Sequence, residues 1–117
     1  MKTELEERTK RFAVQVVKTV AAFPKTSEGQ IIGRQLLRAG TSIGANYREA
    51  NRAESKNDFV HKIGVAEKEA AETIYWREIC RDTTGLGSEK QIAGLLDESS
   101  QLLAILITIG RKAKIKS

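Results

Sequence analysis

The sequence predicts an all-α, up-down-up-down four-helix bundle, and three observations carry that expectation. Apolar residues recur at helical spacing in four successive segments. The composition favours helices, with 30% charged residues, 5% aromatics and a single proline. The segments are joined by short connections, and helices so joined pack antiparallel to their neighbours. The 117 residues fit one domain, 1–117, with a basic C-terminal tail from about 111 to 117. Its core must be built from aliphatic side chains. Such a core is thin for a lone chain, and association would strengthen it.

Segment one runs from Leu5 to Phe23, with Leu5, Phe12, Val16, Val20 and Phe23 on one face. Thr3 is placed to cap it, with Glu6 as the capping-box partner. Pro24 ends it, because proline disfavours helical geometry in the residue before it. Segment two starts near Ser27, an expected N-cap, and runs to about Glu54 on the apolar stripe Ile32, Leu36, Ala39, Ile43, Tyr47 and Ala50.

Segment three begins near Ser55 or Asn57 and ends around Thr84. Phe59, Ile63, Ala66, Ala70, Thr73, Trp76 and Cys80 form one face. Glu67, Lys68, Glu69 and Glu72 read as its solvated face, with charge pairs along the helix. Thr84-Gly85-Leu86-Gly87 is the clearest loop. Segment four opens at Ser88, an N-cap with Gln91 at the third helical position, and buries Ile92, Leu95, Leu96, Leu102, Leu103, Leu106 and Ile109. It ends in Arg111, Lys112, Lys114 and Lys116, whose positive charge suits a helix C-terminus.

Segment two is the most informative. At about 100° per residue, with Arg34 at zero, Arg52 also falls near 0°, Arg38 near +40° and Arg48 near −40°. The four arginines therefore share one stripe, opposite the aliphatic one. They are placed either to grip phosphates through bidentate guanidinium contacts or to form a solvated face partly neutralised by Glu49 and Glu54. Gly33, Gly40 and Gly44 line one flank. Each costs about 1 kcal/mol against Ala in a helix interior, so a close neighbour, within the bundle or across a subunit interface, is expected there. Ser42 and Asn46 lie on the other flank, as a polar site or as side chains satisfied at a helix contact.

Composition argues against catalysis. His61 is the only histidine and Cys80 the only cysteine. Neither a disulfide nor a cysteine metal cluster can form within the chain, and neither metal ligation nor a cofactor is expected. Ser55, Asp58 and His61 are neighbours on one segment and do not converge on a substrate as a triad would. No phosphate-loop or dinucleotide-binding glycine motif occurs. Arg52 and His61 are too far apart for the Arg-x4–6-His pattern of some helical ribonucleases. An enzyme is not expected. The charged N-terminus lacks the apolar stretch of a signal peptide. The longest apolar run, Leu102–Ile109, is far short of the roughly 20 residues of a membrane span. A cytoplasmic protein without membrane association is expected.

Several residues together resemble a known family. They are Phe12-Ala13, Pro24 after Phe23, Gln35-Leu36-x-Arg38-Ala39-x-x-Ser42-Ile43-x-x-Asn46-x-x-Glu49, Phe59, and Glu72-Thr73-x-Tyr75-Trp76. The pattern looks like the small four-helix proteins encoded within intervening sequences of bacterial 23S ribosomal RNA genes, once labelled S23 ribosomal proteins. It covers nearly the whole chain in order. One departure is Ala50, where many members carry glycine after the motif glutamate. The resemblance implies a homopentameric bundle with no catalytic residue to carry over. The chain is also similar to the basic pentameric accessory proteins of diversity-generating retroelements, which bind nucleic acid and a reverse transcriptase.

The net charge of +5 permits a polyanionic partner. With that analogy it makes RNA or DNA an expected partner, besides the chain itself. Arg34, Arg38, Arg48 and Arg52, with Arg111, Lys112 and Lys114, are the expected nucleic-acid-binding residues. The alternative is a protein-interaction scaffold, in which the arginines pair with acids of another subunit or another protein.

Overall fold

Each of the four periodic segments becomes one helix. The computed structural model describes residues 2–115, with α1 at Lys2–Ala21, α2 at Ser27–Ala50, α3 at Lys56–Asp82 and α4 at Glu89–Ile115. Adjacent helices run antiparallel: Gly33 of α2 faces Val20 of α1, whereas Gly44 faces Thr9. The molecule is 48 Å long and 20 Å across, so its two ends are chemically separate.

The helix ends show how local chemistry set the boundaries. Thr26, not Ser27, caps α2, its side chain accepting the Gly29 N–H at 3.1 Å. Ser55 caps α3 by accepting the Asp58 N–H at 3.0 Å, and Ser88 caps α4 by accepting the Gln91 N–H at 3.1 Å. Thr3 lies inside α1 and caps nothing. α2 ends at Ala50, four residues short of the expected limit. There the chain tightens into a turn in which the Arg52 N–H bonds the Glu49 carbonyl and the Ala53 N–H bonds that of Ala50. At the other end, Arg111 to Ile115 continue α4 as helix, and Lys116 lies outside the described residues.

Phe12, Val16, Leu36, Ile43, Ile63, Leu95, Leu102 and Leu106 meet in a single core. Four hydroxyl residues are buried among them, Thr9, Thr19, Thr73 and Ser99. Each donates to the carbonyl four residues earlier in its own helix, at 2.6–2.9 Å. These four hydroxyls are satisfied by this arrangement without a partner helix. By length and composition α4 would pass as a membrane span. The core helix of a bundle meets the same criteria, and α4 places Ile92, Leu95, Leu102 and Leu106 in this core.

The glycine flank of α2 has a neighbour, and it is α1. A Cβ on Gly40 would lie 2.8 Å from Val16 Cγ2, and one on Gly44 would lie 2.8 Å from Thr9 Oγ1. Both neighbours are buried and β-branched, hence stiff. Packing of α1 against α4 is the least extensive in the bundle. Arg8 closes that seam: its Nε donates to Glu98 Oε2 at 2.7 Å and its Nη2 to Glu98 Oε1 at 2.9 Å and to Gln101 Oε1 at 2.8 Å.

Two buried groups in α3 stand apart. Arg77 is 2% exposed, although arginine is seldom buried. Burial pushes the Cys80 thiol up to about 11, against a smaller opposing pull from Arg77. At pH 8 such a thiol is almost wholly protonated, and the thiolate is the reactive form.

Two outcomes follow from this packing. Gly44→Ala or Gly40→Ala must push α1 outward, with an overpacking cost of about 1–3 kcal/mol that outweighs the helix-propensity gain. Gly64→Ala and Gly94→Ala meet no atom within 4 Å and should stabilise by up to about 1 kcal/mol. Urea unfolding of the four variants measures the contrast. Iodoacetamide at pH 8 should leave Cys80 unmodified in the folded protein and alkylate it once urea has unfolded the chain. Equal rates in both states would contradict its burial.

Candidate nucleic-acid interface

The arginine stripe of α2 faces outward but is not a uniform cationic surface. Arg38 is about half exposed and reaches α3, where it pairs with Glu69 at 3.2 Å and with Glu72. Arg48 reaches the opposite way, to α1, at 3.8 Å from Glu6 and 3.7 Å from Glu7. Arg34 and Arg52 are exposed and have no ion-pair partner among the described residues. Arg52 stands in the turn beyond α2, so its direction is set by the turn rather than by the helical wheel.

The neutralising acids are not the expected ones. Glu49 is taken by Lys62 of α3 at 2.7 Å. That hydrogen bond, more than the ammonium charge itself, holds the Glu49 carboxyl below its usual range. Glu54 is exposed and has no ion-pair partner among the described residues. Glu69 and Glu72, expected on a solvated face of α3, instead lie half-buried against α2. The reason is geometric. A helix flanked on both sides by neighbours has little free surface, and residues beside its core stripe face the adjoining helix.

The polar flank of α2 is satisfied from within. Ser42 Oγ donates to the Arg38 carbonyl at 2.6 Å, Asn46 Nδ2 to the Ser42 carbonyl at 2.8 Å and Thr41 Oγ1 to the Leu37 carbonyl at 2.8 Å. These side chains bond their own helix and bind nothing beyond it in the monomer.

Arg111, Lys112 and Lys114 are exposed on the last turns of α4, with no ion-pair partner among the described residues. The antiparallel topology brings them to the same end as the α2–α3 turn. Lys56 Nζ donates to the Lys114 carbonyl at 3.4 Å. The structure thus gathers Arg52, Lys56, Arg111, Lys112 and Lys114 at one end, leaves Arg34 nearer the other, and spends Arg38 and Arg48 on internal pairs. Lys56 was not among the expected residues. Its only signal was its place after the Ser55 cap, at the end where α4 finishes.

Sequence reasoning missed a second basic locus. Arg77 and Arg81 of α3 and Lys90 of α4 line an open cleft of ≈840 Å³ at the opposite end of the bundle. Arg77 falls on the same face of α3 as Thr73 and Cys80, and only packing shows that it is enclosed. Among the described residues, no group of three or more His, Cys, Asp and Glu side chains converges as a metal site would.

A structure of a protein of unknown function from the S23 ribosomal protein family of Bacteroides thetaiotaomicron is similar to this chain. It has 35% sequence identity and a TM-score of 0.85, with 95% of this chain and 99% of that one covered. A comparison with curated proteins found no match. The family described as 23S rRNA-intervening sequence protein matches residues 1–108. Fold, motif block and family match agree, and the chain belongs to the 23S rRNA-intervening sequence protein family.

Proposed function

We propose that this protein is a non-enzymatic, cytoplasmic homo-oligomer, a pentamer, that binds structured RNA through basic surfaces. The observation that carries the binding is the cluster of Arg52, Lys56, Arg111, Lys112 and Lys114 at one end. These are five exposed cations without an ion-pair partner among the described residues. A helix C-terminus is stabilised by such charges on its own account. Arg52 and Lys56 belong to other elements, and that account does not cover them. Symmetric assembly would repeat the cluster, and repeated cations displace condensed counterions from a polyanion cooperatively. The family name, which refers to 23S rRNA, is consistent with an RNA partner.

Self-association is supported by apolar side chains the monomer leaves outside. Val14 is 43% exposed and Val17 47%, both on the outer side of α1. Ile107 of α4 and Tyr75 of α3 are exposed as well.

The alternative, a protein-interaction scaffold, is favoured by one specific observation. Arg38 and Arg48, half of the α2 stripe, are already neutralised by Glu69, Glu72, Glu6 and Glu7. In that case the exposed apolar residues, rather than the cations, would carry binding.

Fluorescence anisotropy with a folded rRNA fragment, between about 50 and about 200 mM salt, separates the two. RNA binding should weaken steeply with salt, and Arg52→Gln or Lys112→Gln should each lower the log–log slope by roughly 1. Arg38→Gln should change it less, because that guanidinium is already paired. Undetectable or salt-insensitive binding would favour the scaffold. Sedimentation equilibrium should give a mass near five times the 12.9 kDa of the chain. Val17→Glu should shift that mass toward the monomer, and a monomeric wild type would refute the assembly.

A further inference from the structure

We propose that the cleft between the end of α3 and the start of α4 is an anion site that takes the phosphate group of a phosphomonoester. The site lies at the other end of the bundle from the Arg52–Lys114 cluster and does not depend on RNA binding there.

The strongest observation is Arg77. It is 2% exposed and lines the cleft; its Nε and Nη1 lie behind that wall, out of solvent and without a hydrogen-bond partner, so an anion in the cleft would engage them by drawing the side chain outward. A guanidinium cannot shed its charge at ordinary pH, so it cannot escape the cost of burial by neutralising. A buried charge without a counter-charge is costly, and natural proteins rarely leave one so. Its own helix offers no counter-ion within bonding reach. Asp82 is held by Arg81, with Nε to Oδ1 at 2.8 Å and Nη2 to Oδ2 at 3.2 Å. Glu78 is exposed. The facing helix contributes Lys90 and Glu89 to the cleft, a cation beside one acid. With Arg77 counted, the lining is net positive.

The start of α4 adds a second, independent set of donors. Ser88 satisfies the Gln91 N–H through its hydroxyl and the Ile92 N–H through its carbonyl. The N–H groups of Glu89 and Lys90, at the first two helical positions, have no acceptor within the helix. Such groups, at the positive end of a helix dipole, bind anions. Gly85 and Gly87, at φ 92° and 86°, let the loop double back and bring this end beside Arg77. Thr83 and Thr84 complete the polar wall.

A tetrahedral oxyanion offers separate oxygens to a guanidinium and to backbone N–H groups, whereas a halide offers all of them one centre. The cleft of ≈840 Å³ is far larger than a phosphate ion and leaves room for the rest of an ester. Cys80, at the cleft wall with its thiol held neutral, is not poised to attack that group.

Thermal unfolding with increasing phosphate, at ionic strength held constant with chloride, tests the site. The melting temperature should rise by a few degrees, as it does for any ligand that binds the folded state alone. Arg77→Met should fold at least as well, since an apolar replacement of a buried charge is often neutral or stabilising. It should also lose the phosphate dependence. Should that variant not fold, Lys90→Ala, an exposed change, should weaken phosphate binding about tenfold in a ³¹P NMR titration. A nucleoside 5′-monophosphate, and a 5′-phosphorylated oligoribonucleotide beside its 5′-hydroxyl form, distinguish the sources of the group. Tighter binding of the mononucleotide than of inorganic phosphate assigns a small ester. Preference for the 5′-phosphorylated RNA assigns an RNA end. Inorganic phosphate binding as well as either would confine the site to the free ion and overturn the ester. A rise no greater than chloride gives, or one undiminished in both variants, would overturn the site altogether.

Discussion

The approach of α1 to α2 across Gly33, Gly40 and Gly44 is the constraint on which the rest of the bundle depends. Where a Cβ would stand, Val20, Val16 and Thr9 already occupy the space. The cost of glycine in a helix is about 1 kcal/mol per position, so three of them require a return. The return is close packing between two helices that carry few large side chains at their contact. That proximity fixes the rotation of α2 about its axis. Leu36, Ala39 and Ile43 then face the core, and the arginine stripe is turned outward between α1 and α3. Arg48 and Asn51 reach the first turns of α1 only because α1 is that close: Asn51 Nδ2 donates to Glu6 Oε2 at 2.9 Å.

The same economy governs the polar interior. Thr9, Thr19, Thr73 and Ser99 are buried yet bonded within their own helices. Helix contacts are therefore apolar and shape-driven, and at the α1–α2 contact it is glycines, not buried cross-helix hydrogen bonds, that permit the close approach. Cross-helix polar pairs lie at the surface, as at Arg8–Glu98 and Arg38–Glu69. Exposed pairs contribute only about 0–1 kcal/mol each, and the bidentate, part-buried Arg8–Glu98 pair stands at the upper end. They trim the surface charge more than they hold the fold. Arg77 is the exception to this plan, a buried charge whose Nε and Nη1 have no hydrogen-bond partner and which Glu78 and Asp82 offset only at a distance.

Most of the fold was legible because its signals are local. Helical spacing of Leu36, Ala39, Ile43 and Tyr47, the Ser55 and Ser88 caps and the Gly85–Gly87 loop each depend on a few adjacent residues. The outward stripe of α2 was legible too, since a wheel needs only residue numbers. What was not legible depends on which helices stand side by side. Glu69 and Glu72 looked solvated because a wheel of α3 alone cannot show that α2 covers their flank. Glu49 looked like a partner for the stripe, but the antiparallel register delivers Lys62 to it. Thr3 satisfied the pattern of a cap, yet α1 extends past it. Arg77 shares a face with Thr73 and Cys80, but arginine at such a position normally reaches solvent, and only the α4 start and its loop enclose it.

The two kinds of cation stand at opposite ends of the 48 Å molecule. At one end, the α2–α3 turn and the last turns of α4 present exposed charges with no ion-pair partner among the described residues. Such charges suit an extended polyanion, whose phosphates need be matched in spacing only loosely. At the other end, the nearly buried Arg77 and a helix N-terminus stand in a concave wall. Fixed donors favour a single, well-placed group, since buried partners left unpaired carry the full cost of desolvation. Arg81 lines the same wall but is held by Asp82, which leaves Arg77 as its unpaired guanidinium. In the proposed RNA contact the cluster would act through the number of its charges; in the proposed anion site the cleft would act through their placement.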